Sequence, residues 1–185
     1  MIFRAWADGR FQIGDREVRC ALGPSGVIEA AAKREGDGAT PLGAWPIRRA
    51  LYRPDKGPAP RTALPVLPID PEDGWCDDPA DRLYNQPVPL PYAASAERLW
   101  RDDSLYDLVV ILGYNDDPPV AGRGSAIFLH VAKPDYAPTQ GCVALARPDL
   151  EAVLARAEPG SVLEILSSPM GRGRGPSQSD GKVRG

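Results

Sequence analysis

The chain has one histidine, two methionines and three cysteines in 185 residues, and each scarcity narrows what it can be. With a single imidazole and no close Cys or His pairing, the spacing of a structural zinc site is missing. Three cysteines are an odd number, so at least one thiol stays free in any redox environment. No uninterrupted apolar stretch approaches the roughly 20 residues that span a bilayer, and no membrane insertion is expected. Charges at Arg4, Asp8 and Arg10 break up the N-terminal apolar residues, so no signal peptide is visible. Positive charge is not in excess either: 22 basic residues face 25 acidic ones, net −3 with a pI near 5.2. Nucleic acid is therefore not an expected partner. The "GRGS" run ending at Ser125 lacks the strand, Lys and helix of a phosphate-cradling loop.

What the chain has in plenty is 21 prolines and 19 glycines, more than average usage, so a soluble domain rich in strands and loops is expected. Residues 1–166 are read as one domain. From Ser167 onward "SSPMGRGRGPSQSDGKVRG" carries four basic residues against one acidic and no apolar periodicity, so 167–185 is read as a disordered basic tail. The opening "IFRAWADGRFQIGDREVRCALG" reads as a β meander, with Asp8-Gly9 as a tight turn. Twelve prolines between Pro41 and Pro91 argue against long helices and central strands there. That half is a long excursion whose Trp45, Tyr52, Trp75, Tyr84 and Tyr92 either pack it on the domain beside a site or merely anchor a surface loop. A short helix is expected at "SAERLWRD". "DLVVILGY" and "SAIFLHVA" read as strands buried on both faces. "RPDLEAVLARAEPG" reads as an amphipathic helix opened by Pro148 and stopped by Pro159-Gly160. With a last strand at "SVLEILSS", the class is mostly β, a sandwich or barrel with one or two short helices.

Chemistry concentrates in "IFLHVAKPDYAPTQGCVAL", Ile127 to Leu145. A cysteine nucleophile needs a base, a group orienting that base, and donors where an oxyanion develops. His130 ends an apolar strand, and the loop through Pro134, Pro138 and Gly141 is long enough to return Cys142 beside it. Gly141 lets the backbone turn sharply and present amides to a carbonyl oxygen. Cys20, alternating with Val18 and Leu22, reads as a core residue. Cys76 sits beside Asp77 and Asp78, which disfavour a thiolate. On spacing alone, a histidine satisfied by a carbonyl and an unrelated core cysteine explains the segment equally well. A metal held by Cys142, His130, Asp116 and Asp117 is the weaker rival.

Two blocks resemble the bacterial L,D-transpeptidase catalytic domain family, which cross-links peptidoglycan. "SAIFLH...TQGCVAL" is similar to its strand ending in His followed by a Ser/Thr-x-Gly-Cys block. "KREGDGATPLGAWPI", with Asp37, Thr40, Pro41, Gly43 and Trp45, is similar to its Asp-x-x-Thr-Pro-x-Gly-x-aromatic segment. The resemblance implies a β-sandwich-like fold, Cys142 as nucleophile, His130 as base, and the Gly141 and Cys142 amides at the oxyanion. It implies peptidoglycan stem peptides as donor and acceptor, a cell-envelope or periplasmic location, and neither cofactor nor metal. The chain departs from the family pattern in a shorter His-to-Cys loop, in Val131, in Gln140 where many members have a second histidine, and in Ala144 where many have an arginine. A backbone carbonyl at Val131 can still orient the imidazole. Thr139, Arg147, Arg123 and Asn115 are the substrate-binding candidates, the two arginines as substitutes for the missing cation. The runner-up is an L,D-carboxypeptidase or endopeptidase using the same Cys/His site, and a third reading is a non-catalytic wall-binding module.

Overall fold

The computed structural model describes residues 1–168, so the expected disordered tail lies outside the described residues from position 169 on. The chain opens with the meander β1 (Ile2–Trp6), β2 (Arg10–Ile13) and β3 (Arg16–Ala21). Gly9 makes the first turn at φ +84°, its amide donating to the Trp6 carbonyl at 2.9 Å, a conformation glycine enters without a Cβ penalty. β4 (Val27–Glu29) and the thirteen-residue β5 (Thr40–Tyr52) follow, then four three- or four-residue strands in the proline-rich half: β6 (Val66–Pro68), β7 (Asp73–Cys76), β8 (Pro87–Pro89) and β9 (Ala96–Arg98). β10 (Leu108–Leu112), β11 (Phe128–Val131), β12 (Val143–Leu145), α1 (Arg147–Leu154) and β13 (Val162–Leu166) complete the fold.

Strand order runs β10-β11-β12-β3-β2-β1-β13-β5, and β5 pairs again with β10, so the path closes on itself as a barrel does. β5 closes it by changing partner along its length. Gly43 to Pro46 pair with Ile165 to Val162 of β13, and Ile47 to Tyr52 pair with Leu112 to Leu108 of β10, with a register shift at Ile111/Leu112. The expectation of no central strand after Pro41 fails here. Pro46 lacks a ladder donor, but it stands where the strand leaves one partner for the other. Its carbonyl still accepts the Gly113 amide at 2.7 Å, and Ile47 resumes donation to Ser161 at 2.9 Å.

Both expected central strands are buried throughout, and alternation along them separates two cores. Leu108, Val110 and Leu112 of β10, Leu129 and Val131 of β11, and Val143 and Leu145 of β12 join Phe3, Phe11, Leu163 and the α1 residues Leu150, Val153 and Leu154 in the main core. The opposite face, with Val109, Ile111, Phe128 and Cys142, packs against Trp75 from the excursion and against Leu99 and Tyr106 from the segment that follows it. Trp75 meets Phe128 edge-on, centroids 5.0 Å apart. Burying each such side chain stabilises the fold by about 1.5–3 kcal/mol. The excursion thus packs on the domain, as its aromatics suggested, and covers the outer face of β10, β11 and β12.

Two local readings are corrected. "SAERLWRD" is not helical: β9 is extended and pairs with β7, Cys76 opposite Ala96 and Gly74 opposite Arg98. Docking onto a neighbouring strand overrides the helical preference of an Ala-Glu-Arg-Leu run. The C-terminal helix does open with Pro148 in its first turn, yet it ends at Leu154 rather than at Pro159-Gly160. Ala157, still buried, lies in the turn beyond it.

Candidate active site

His130 and Cys142 come together through the pairing of β11 with β12. These strands run parallel, with Leu129 opposite Val143 and His130 opposite Ala144. By the two-residue period of a strand, His130, Ala144 and Cys142 share one face, and the His130 and Cys142 side chains are diagonal neighbours. Both border a cavity of about 200 Å³, walled on the other side by Glu97, Arg101, Leu105 and Tyr106.

The imidazole is oriented by its own strand. Nδ1 lies 2.8 Å from the Val131 carbonyl, which accepts only if Nδ1 carries the proton, leaving Nε2 as the free base. Burial pushes the pKa of His130 down to about 4; the Val131 carbonyl opposes that shift, and the Arg101 charge adds to it. Tyr106 packs edge-on against the ring at 5.4 Å and donates its hydroxyl to Glu97 at 2.6 Å. Arg101 lies over the Tyr106 ring at 5.1 Å and holds Asp103 through two hydrogen bonds of 2.9 and 2.7 Å.

Cys142 is 7% exposed. Its thiol donates to the Ala126 carbonyl at 3.1 Å and accepts the Phe128 amide at 3.4 Å. Burial pushes its pKa up to about 12, which the Phe128 amide opposes and the Glu97 charge reinforces. The resting pair is therefore a neutral thiol beside a neutral imidazole. The other two thiols are also free and buried. Cys20 is pushed up to about 12, chiefly by burial. Cys76 is raised by burial first, with Asp81, Asp77 and Asp78 adding to it. Neither borders this cavity.

Gly141 approaches the cysteine at φ +121°, and a Cβ there would sit 2.8 Å from the Ala39 carbonyl. Its amide donates to the Thr139 hydroxyl at 3.1 Å, and that hydroxyl donates to the Cys142 carbonyl at 2.7 Å. Thr139 is thus the clasp of the turn that delivers the cysteine, and it borders the cavity as well. The Ala39 contact also brings the Asp37 block against the turn of a cysteine a hundred residues away. Asp37 gathers Lys33 Nζ at 2.6 Å and the amides of Arg34 and Ala39 at 2.7 and 2.9 Å. Thr40 accepts the Gly23 amide at 3.0 Å. Together they hold the loop on which Gly141 rests.

The three remaining sequence candidates lie elsewhere. Arg147 pairs with Glu151 at 3.0 Å and Asp107 at 3.6 Å. Arg123 donates to the Ala31 carbonyl. Asn115 staples its own loop, donating to Val120 and Gly124 at 3.0 and 2.9 Å and accepting the Val120 amide at 2.8 Å. None of the three borders the Cys142 cavity. The charges that do are Glu97, Arg101 and Lys133. Two of them fall in the stretch read as a helix, and the only sequence signal was the density of charge in "ERLWRDD" just ahead of an apolar strand. Asp116 is engaged by Arg48 at 2.8 and 3.1 Å. Among the described residues no group of three or more His, Cys, Asp or Glu is placed to hold a metal ion.

The YkuD family signature, the L,D-transpeptidase catalytic domain, matches residues 2–165, and this chain belongs to that family. No match was found among curated proteins. Among solved structures, the chain is similar to the helical cell shape determining protein Pgp2 of Campylobacter jejuni, at 15% identity and a TM-score of 0.47, covering 91% of this chain and 48% of that one. It is also similar to Mycobacterium tuberculosis L,D-transpeptidase 1, at 13% identity and a TM-score of 0.40, covering 89% and 58%. The chain spans about half the length of these solved proteins.

Proposed function

We propose that this chain is a peptidoglycan L,D-transpeptidase domain that joins stem peptides through a thioester on Cys142. The observation that carries the reading is the placement of Cys142 and His130 on one strand face at one cavity, with Nδ1 of the imidazole engaged by Val131 and Nε2 left to act. Because thiol and imidazole are both neutral at rest, the proton moves as the sulfur attacks. Nε2 takes it from Cys142 while the sulfur adds to a peptide carbonyl of the donor stem. The imidazolium then returns it to the departing amine; an acceptor amine next attacks the thioester carbonyl, gives its proton to His130, and the C–S bond breaks as His130 passes that proton back to the Cys142 sulfur. General acid-base transfer of this kind contributes about 10²- to 10⁴-fold.

The Cys142 amide, at the end of the Gly141 turn, is assigned to the oxyanion; the Gly141 amide, expected beside it, is engaged by the Thr139 hydroxyl. Thr139 holds that turn. Lys133 supplies a cation at the cavity for a substrate carboxylate, the role expected of Arg147 and Arg123, while Arg101 beside it is held by Asp103. No helix among the described residues is long and apolar enough to cross a membrane. The substrate places the site of action at the cell envelope.

The test is incubation of the chain and its Cys142→Ala form with disaccharide tetrapeptides, followed by mass spectrometry. Cysteine-dependent dimers lacking a released residue support the transpeptidase. Trimmed monomers assign the same site to a carboxypeptidase or endopeptidase, and no cysteine-dependent product refutes both.

A further inference from the structure

The Cys142 thiol points its hydrogen at Ala126, and Ala126 is not in an ordinary conformation. It holds φ +51°, a left-handed geometry that a residue with a Cβ rarely adopts unless its surroundings impose it. The surroundings are identifiable. The Ala126 amide donates to Asn85 Oδ1 at 2.9 Å, and the same oxygen accepts Trp75 Nε1 at 2.9 Å. Asn85 Nδ2 donates to the Tyr114 and Asn115 carbonyls at 3.1 and 2.7 Å. Two donors at one end and two acceptors at the other fix the orientation of this amide. Asn85 is 5% exposed, so the network is made without competition from bulk water. The preceding residues are tied down too: Tyr84 accepts the Gly124 amide at 2.9 Å, while Ser125, at 2.8 Å, and Tyr84 both donate to Glu35.

We infer that Asn85, in the proline-rich excursion, is a positioning residue for the nucleophile: by holding the Ala126 N–H it fixes the left-handed turn at Ala126, and that turn aims the carbonyl of the following peptide unit, which parks the Cys142 thiol away from His130. The link runs from Asn85 Oδ1 to the Ala126 N–H, through the constrained backbone dihedrals of Ala126 to its carbonyl, and on to the Cys142 sulfur. A hydrogen bond that needs the S–H stabilises the thiol over the thiolate, whereas the Phe128 amide on the same sulfur favours the thiolate. Removing the clamp loosens the first and leaves the second. The other charged or titratable groups around the sulfur are His130, Glu97, Tyr106, Arg101, Lys133 and Lys33, and a change at Asn85 alters none of them directly. Substrate carbonyl binding would have to draw the thiol from Ala126 toward His130, which makes the parked state a brake on the resting enzyme. That consequence rests on Cys142 being the nucleophile proposed above; the parking itself does not.

The experiment is therefore alkylation rather than turnover: iodoacetamide at pH 8.5 on the wild-type chain, Asn85→Ala and Asn85→Asp, with each cysteine followed by peptide mass spectrometry. Cys20 and Cys76, both buried, report whether the fold is intact. A thiol pKa lower by about one unit gives roughly tenfold more thiolate, partly offset by weaker nucleophilicity, for a net gain of about threefold. The expected result is that gain or more at Cys142 alone in Asn85→Ala, and no gain in Asn85→Asp, which keeps an oxygen for the Ala126 amide and adds a negative charge that also disfavours the thiolate. An unchanged Cys142 rate in a folded Asn85→Ala chain, or an equal gain in Asn85→Asp, overturns the inference. If all three thiols of Asn85→Ala react together, the fold is lost and Asn85→Leu, which keeps the side-chain volume but cannot accept the Ala126 amide, takes its place. Selective acceleration there supports the clamp, and an unchanged rate overturns it.

Discussion

Acid should weaken this fold through His130 in a way that a single substitution can isolate. The imidazole is 5% exposed and burial lowers its pKa from 6.5 to about 4. In that window the unfolded chain binds a proton that the folded chain refuses. Stability is therefore fully present above pH 6.5 and falls as the pH drops toward 4. The interval is worth about 3 kcal/mol at roughly 1.4 kcal/mol per unit, a large part of the 5–15 kcal/mol typical of a domain. Other groups titrate in the same range: Asp37 and Asp103, lowered mainly through their partners Lys33 and Arg101, lose stability with acid, while Glu97, raised by burial, gains it. These contributions are common to wild type and a His130→Gln variant and cancel in the difference. Urea unfolding of both chains at pH 7 and pH 4.5 is the assay. The wild type should lose about 2–3 kcal/mol more than the variant over that interval, and parallel losses would refute the account of a neutral, desolvated imidazole.

Two further outcomes follow from the site's geometry. Gly141→Ala puts a Cβ 2.8 Å from the Ala39 carbonyl at φ +121°, and should cost about 1–3 kcal/mol in thermal or urea unfolding; an unchanged melting temperature contradicts the tight packing of the cysteine turn. Arg101→Gln removes a positive charge that opposes protonation of His130, so the imidazole midpoint, followed by NMR, should move up from about 4, and a fixed midpoint would show that burial alone sets it.

Parts of this architecture are legible in sequence because they depend on short-range pattern. β10 and β11 read as buried strands since both of their faces meet apolar partners, and the Gly141-Cys142 turn shows itself because its glycine has no alternative. The strand β5 hides because Pro46 is disqualifying only if a strand keeps one partner, and nothing local reveals that it changes partners there. β9 hides for a related reason: its Ala-Glu-Arg-Leu run prefers a helix until β7, twenty residues earlier, offers a ladder. The site divides along the same line. Cys142 and His130 are close in sequence and were found together. Glu97, Arg101 and Tyr106 reach the cavity only when β9 and the residues after it fold back onto β7, and Arg147 and Arg123, nearer in sequence, are engaged elsewhere by Asp107, Glu151 and Ala31.

The most direct test of the central claim is the intact mass of the chain after a brief exposure to donor tetrapeptide without acceptor. An acyl adduct that maps to Cys142, is released by hydroxylamine and is absent from Cys142→Ala is the predicted result. An adduct on Cys20, Cys76 or a hydroxyl group, or product formed by the Cys142→Ala chain, would contradict it.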